Sequence, residues 1–405
     1  MSVCEIASAA GARAGSVCAG RDLIIIQDTS GIALGGRKKK RQGYGPVCGG
    51  GAARGVLLHA ALCLDAADGR ALGLADLALW NRAGGARVTA RRERDFAERE
   101  SARWLAALEH AAARLGEARS RLVVGDAESD IFRLFALRPP SVDCLVRAGQ
   151  DRLARLQEAS EGEAPGEERL SALCARLPLM GRTALNLPAR PGRKARVLEL
   201  EVRFARVWLK RPAAAAGLPD EVGMTLIEAR EAEPRKAEAG APLCWRLLTS
   251  LPAADLAAAL AMLAAYRRRW VIEEYFHILK TGGFDIEAME IAEPQAMLRF
   301  CAAAAVAAVT VLQLVKGRED AASSASPAFE AQELRLLERL RPALEGKTRK
   351  QKNPHPPNSA AWAAWIIARL GGWDGYYGKP GPKTFRWGMQ AFNAIKIGAS
   401  LKENV

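Results

Sequence analysis

Two stretches of this sequence run through apolar residues and stop at a carboxylate. Leu23-Ile24-Ile25-Ile26 leads into Gln27-Asp28-Thr29, and Leu122-Val123-Val124-Gly125 leads into Asp126. Runs apolar throughout are the pattern of strands buried on both faces. In open α/β sheets, functional groups collect at the carboxyl ends of such strands. If the two strands are neighbours, two anions emerge side by side and repel unless a cation sits between them. Hard divalent ions with oxygen ligands, Mg²⁺ or Mn²⁺, suit such a pair. Each aspartate taken alone could instead cap a turn or helix. A third acid stands in the pattern Tyr266, Arg269, Glu273 and Lys280, at offsets of three, seven and fourteen. On a continuous α-helix these lie within roughly a 60° arc, so one face would present a phenol, a guanidinium, a carboxylate and an ammonium. Such a face could complete a metal pair and bind phosphate. It could equally be an exposed ion-paired face, because Arg269 and Glu273 are an i,i+4 pair.

The elements that must position these residues are legible in outline. Residues 1–20 are small and show little pattern. Strands are expected at Leu23–Ile26, Gly55–Leu64, Ala71–Trp80, Arg121–Gly125 and Asp143–Arg147, with Asp68-Gly69 as a hairpin turn. Helices are expected at Glu93–Leu115 and Ser129–Leu137, giving the order β-β-β-α-β-α-β. The glycine-rich stretch from Gly35 to Gly51, with Arg37-Lys38-Lys39-Lys40-Arg41, reads as loop. Alternating stretches such as Val197–Phe204 and Met224–Ala229 make residues 151–250 a β-rich insertion. Helices follow at Ala253–Lys280 and about 293–316, 328–341, 358–370 and 383–397. The resulting divisions are 1–20, 21–150 (core, first part), 151–250, 251–320 (core completion carrying the third acid) and 321–405 (helical, with a dimerisation role).

Composition narrows the classes. The chain has 405 residues, 59 Lys+Arg against 45 Asp+Glu and a net charge of +14, which points to a polyanionic partner. At 49% hydrophobic residues it is neither low-complexity nor collagen-like. The eight cysteines are scattered without CxxC spacing and there are four histidines, so a structural zinc site and a disulfide scaffold are not expected. No export signal is visible, and the run Cys301–Val315 reads as a buried helix rather than a membrane span. A cytoplasmic protein is expected.

Tyr-x2-Arg-x3-Glu-x6-Lys, complete at Tyr266, Arg269, Glu273 and Lys280, resembles the Y-R-E-K signature of the bacterial insertion-sequence DDE transposases. Gln27-Asp28-Thr29 and Gly125-Asp126-Ala127-Glu128-Ser129-Asp130 are similar to that family's first and second acid motifs. Leu247-Leu248-Thr249-Ser250 and Gly378-Lys379-Pro380-Gly381-Pro382-Lys383-Thr384 also look familial, so the resemblance runs from about residue 20 to the C-terminus. It implies a ribonuclease-H-like mixed α/β sheet with flanking helices, interrupted by the β-rich insertion and followed by the helical C-terminal region. Asp28, Asp126 and Glu273 would hold two Mg²⁺ or Mn²⁺ ions, with Asp126 favoured over Glu128 and Asp130. Tyr266, Arg269 and Lys280 would grip the phosphates and a hairpin end. Arg147 matches a family arginine near the hairpin, and Trp245 an aromatic for a flipped base, or else a core tryptophan in a strand. The implied activity is cut-and-paste transposition by strand cleavage, hairpin formation and strand transfer on double-stranded DNA, within a homodimeric synaptic complex. Because only 27 residues precede Asp28, the end-recognition domain is expected to be missing, with DNA bound largely without sequence preference. A truncated inhibitor that dimerises with a full-length enzyme, and a stand-alone metal-dependent nuclease, are the alternatives. Arg190, Arg193, Lys194 and Arg196 are expected to track the DNA backbone, or to form a solvated charged face.

Overall fold

A computed structural model describes residues 1–35, 42–47, 53–82, 96, 99–157, 166–187, 189, 194–232 and 242–403. The basic run 37–41, the start of the expected helix at Glu93, and Arg190 and Arg193 lie outside the described residues. In chain order the elements are α1 (Val3–Cys18), β1 (Asp22–Ala33), β2 (Gly45–Pro46), β3 (Arg54–Asp65), β4 (Ala71–Trp80), α2 (Ala102–Arg114), β5 (Ser120–Gly125), α3 (Phe132–Leu137) and β6 (Asp143–Arg147). There follow β7 (Leu153–Leu156), β8 (Glu168–Arg169), α4 (Leu170–Arg176), β9 (Gly181–Leu187), β10 (Arg196–Lys210), β11 (Glu221–Glu231) and β12 (Cys244–Thr249). The remainder is helical: α5 (Leu256–Arg267), α6 (Val271–His277), α7 (Pro294–Gly317), α8 (Ala331–Leu344), α9 (Ala360–Leu370) and α10 (Pro382–Glu403).

The described strands form one mixed sheet in the order β2-β3-β1-β5-β6-β12-β11-β10-β7-β8, with β4 on β3 and β9 on β10. β1, β3 and β4 are antiparallel neighbours, whereas β1, β5 and β6 run parallel. The strands between residues 151 and 250 do not form a separate sheet. β12 pairs with β6, Leu247 opposite Arg147, and carries the same sheet onward. Alternation assigns the two faces. Ile24 and Ile26 belong to the core under α5–α10, and Leu23 and Ile25 to the core under α2 and α3. The uninterrupted apolar run thus has the cause expected of it, burial on both faces.

Four expectations change. Residues 3–18 are a helix, started by a capping box in which Ser2 Oγ accepts from Glu5 N and Glu5 Oε2 from Ser2 N. Its buried positions Ala7, Gly11, Ala14 and Cys18 have helical spacing but little hydrophobic contrast, so the periodicity escapes a reading by apolar side chains. The small residues permit close approach, since a Cβ at Gly15 would stand 2.5 Å from the Arg114 carbonyl oxygen. Second, β1 does not stop at Ile26 but continues to Ala33 against β3. Third, Ala253–Lys280 is not a single helix. A 3₁₀ turn at Arg268–Trp270 separates α5 from α6, and a π turn at Ile278–Gly282 follows. The fourth concerns the length of the apolar run Cys301–Val315, not its expected burial: it belongs to the 24-residue α7, whose most apolar 18-residue stretch has a mean hydropathy of 2.0, long and apolar enough by composition to cross a membrane. Here α7 packs into the core, where Tyr275 Oη donates to Ala305 O at 3.0 Å and Gln313 Nε2 to Ala71 O at 2.9 Å.

Candidate active site

β1 and β5 pair in parallel from Asp22–Ser120 to Ile26–Val124 and then part. β1 continues along β3, and β5 turns sharply after Gly125. A Cβ at Gly125 would meet Ser129 Oγ at 2.2 Å, so the turn closes only over a glycine. Extending the pairing by two residues sets Asp28 beside Asp126, at the fork where the strands separate. Asp126 starts a 3₁₀ turn and accepts from Glu128 N at 2.9 Å, while its own carbonyl accepts from Ser129 Oγ at 2.6 Å. Both aspartates thus reach one point by backbone geometry, although Asp28 is inside a strand rather than at its end.

Glu273, on α6, arrives at the same point through Arg269. Arg269 Nη1 stands 3.1 Å from Asp28 Oδ2 and 3.5 Å from Glu273 Oε1. The electrostatic result is concentrated on Asp28, whose carboxyl is pushed up to about 7. Burial is the main cause and the Asp126 charge the second, with Glu273 adding to it; the Thr29 amide and Arg269 oppose them. Among the described residues no other carboxyl is raised in this way. The oxygen donors match hard divalent ions in kind, and the mutual repulsion of three carboxylates is the condition a cation relieves. They are not gathered into a ready set, since among the described residues no three His, Cys, Asp or Glu side chains stand together as ligands.

The expected phosphate-binding residues divide. Tyr266 is buried, its ring edge-on to Trp245 at 5.6 Å, and its phenol is raised by burial against the opposing pull of Arg269 and Arg147. Trp245 is partly buried against the core as well as against Tyr266. Arg147, at the end of β6, is exposed. Lys280 stands apart from this group. It lies in the π turn, 3.7 Å from Glu287 Oε1, and Glu287 accepts from Ala33 N at the far end of β1. The one-face arrangement of Tyr266, Arg269, Glu273 and Lys280 assumed a uniform helix, and the 3₁₀ and π turns break that phase. Asp130 is committed elsewhere. It is buried and accepts from Arg152 Nε, Gly149 N and Gln150 N at 2.8–2.9 Å. Glu128 is exposed and 3.5 Å from Arg103. In the β-rich region, Arg196 is 3.9 Å from the buried Glu231 and Lys194 is exposed.

Sequence reasoning missed the layer behind Asp28. Arg103, on α2, donates from Nε to Thr29 Oγ1 at 2.9 Å and from Nη1 to Glu100 O at 2.6 Å, and its guanidinium lies 5.3 Å from the ring centroids of Trp80 and Trp104. Thr29 Oγ1 is also 2.8 Å from His59 Nδ1, and His59 Nε2 is 3.3 Å from Gln27 Oε1. Gln27 Oε1 can only accept, so Nε2 carries the proton and Nδ1 accepts from Thr29. His59 is fully buried and its pKa is lowered to about 3, by burial and then by Arg103, so it is neutral at pH 7. One signal was available: His59 is a lone polar residue in the apolar strand Leu57-Leu58-His59-Ala60.

Compared with known families, residues 92–309, more than half of the chain, match the family described as the transposase DDE domain. The matched stretch includes Asp126 and Glu273 and begins after Asp28.

Proposed function

Because this chain belongs to the transposase DDE domain family, we propose that it is a cut-and-paste DNA transposase of the Y-R-E-K type with a ribonuclease-H-like core. Asp28, Asp126 and Glu273 are its metal ligands. The observation that carries the reading is the fork between β1 and β5, where the Asp28 carboxyl is raised to about 7 by burial and by two further carboxylates. Two Mg²⁺ or Mn²⁺ ions, when bound there, supply an activated water and stabilise a leaving 3′-oxygen. Arg269 balances Asp28 and Glu273 and presents its remaining N–H groups to a phosphate. Arg147, exposed at the end of β6, supplies a further cation for the bent strand. Trp245, partly exposed and backed by the buried Tyr266, offers the ring on which an extruded base can stack, and Lys280 holds the DNA beyond the acids. The chemistry is a series of in-line displacements at phosphorus. Water nicks one strand, the freed 3′-OH attacks the opposite strand to form a hairpin, water reopens it, and the 3′-OH attacks target DNA. ATP is not needed. The strands between 151 and 250 are read as an insertion between the second and third acids, and the helices after residue 321 as the dimerisation region of a synaptic complex.

The test measures Mg²⁺-dependent nicking beside DNA binding in Asp28→Ala, Asp126→Ala and Glu273→Ala proteins. Nicking is expected to be lost in all three and binding retained, because removing an anion does not weaken phosphate contacts. Undiminished nicking by Glu273→Ala would remove it from the ligand set.

A further inference from the structure

Two loops of the C-terminal helical region meet on the surface. Tyr376 Oη, in the loop between α9 and α10, is 2.7 Å from Thr348 Oγ1 in the loop between α8 and α9. Beside it, a Cβ at Gly375 would stand 3.7 Å from Lys350 O. Lys347, Arg349, Lys350 and Lys352 are all exposed here, and none is ion-paired with a described residue. The acids at the junction are already engaged. Glu345 lies 3.9 Å from Arg341 and accepts from Asn353 N, and Asp374 accepts the amides of Tyr376 and Tyr377 at 2.8 and 3.2 Å. Tyr377 is 84% exposed and Tyr376 44%. From this turn the chain runs toward the catalytic side: Arg318 donates to Pro380 O, and Lys383 lies 3.4 Å from Asp285, just past the π turn that carries Lys280.

Four unneutralised cations beside two exposed phenols are the composition of a surface that takes phosphates and sugars without reading bases. We propose that this junction binds the backbone of duplex DNA flanking the cleaved position. The proposal rests on the transposase reading for its partner and extends it to a surface outside the acid site. Each cation replaces a condensed counterion, so its contribution is electrostatic and falls with salt. The phenol rings lie along the sugar–phosphate backbone and give the contact a shape that lysines alone lack.

The experiment uses the full chain and a labelled duplex of arbitrary sequence, with affinity measured across a salt series. Replacing Lys347, Arg349, Lys350 and Lys352 together by Ala should flatten the plot of log affinity against log salt by about three to four, at roughly 0.9 per lost phosphate contact. Thermal melting reports folding of the quadruple variant, and Lys350→Glu, a single exposed change, gives the same reading by a several-fold weaker affinity at moderate salt. An unchanged slope in the folded quadruple variant overturns the proposal, as does loss of self-association with DNA affinity intact, which would make this face a contact between copies. If instead wild-type protein leaves DNA uncut while the slope still flattens, the catalytic reading has failed and the surface stands.

Discussion

Asp28 carries the largest consequence of any single residue. Its carboxyl is pushed up to about 7 in the folded chain, from an ordinary value of 3.8. The folded state therefore holds a proton that the unfolded chain has released between about pH 4 and 7, and stability falls as pH rises through that window. The cost is fully present above pH 7 and absent below about pH 4, where both states are protonated. A shift of that size corresponds to roughly 4 kcal/mol. Asp28→Asn should therefore be more stable than the parent at pH 8 without divalent ions, and the gap should close by pH 4, as read by urea unfolding at each pH. A gap of the same size at both pH values would place the effect outside Asp28 ionisation. The acidic motifs were legible because two apolar strands run into Asp28 and Asp126 and a third acid, Glu273, stands in a spaced pattern with Tyr266, Arg269 and Lys280. The layer behind them was not, because Arg103, Thr29 and His59 lie far apart in sequence and each looks ordinary alone.

At the scale of elements, legibility followed hydrophobic contrast. β4 and β6 were placed to the residue and β3 and β5 to within one, since their apolar runs are bounded by turn residues or charges. β1 extends further than its apolar run because Gln27-Asp28-Thr29-Ser30-Gly31, although it has the composition of a turn, continues the strand; Gln27 and Asp28 are both buried, Asp28 toward Arg269 and Gln27 toward His59 on the opposite face. α1 was missed for the opposite reason, a helix whose contact face is Ala and Gly. That face makes a definite demand. A side chain at Gly15 has no room beside the Arg114 carbonyl, and backbone cannot yield as a flexible side chain does. Gly15→Val should lower stability by about 1–3 kcal/mol, the usual cost of overpacking. Gly20→Ala, with no atom within 4 Å, tests strain alone at its φ of 69°. Equal melting temperatures for Gly15→Val and the parent would mean that α1 is not seated as described.

For the molecule as a whole, the sheet passes through the expected division at residue 150 without interruption. β6 pairs with β12 on its far side, and Leu198, Leu200 and Val202 of β10 share a core with Ile24 and Ile26 of β1 and with α7. Sequence could mark where the character of the chain changes, but not that strands from both sides would hydrogen-bond into one sheet, because pairing across a hundred residues leaves no local trace. Elements tied by shared strands and a shared core unfold together. Calorimetry should show one cooperative transition rather than two. A separate early transition, with amide exchange confined to β7–β11, would make that region an independent unit.

The parting of β1 from β5 has a spectroscopic consequence. Past Ile26, β1 has lost its parallel neighbour, and the Thr29 amide finds its acceptor in the adjacent side chain, Asp28 Oδ1 at 2.7 Å. That one amide is therefore a gauge of the carboxylate beside it. Hydrogen bonds to charged acceptors exceed neutral ones by about 1 kcal/mol. Thr29 N–H should accordingly exchange with solvent deuterium roughly five times faster in Asp28→Asn than in the parent at pH 8, with amides in the middle of β3 unchanged as the internal reference. The electrostatic state of the fork can then be followed at a single backbone position, in protein that has never met DNA.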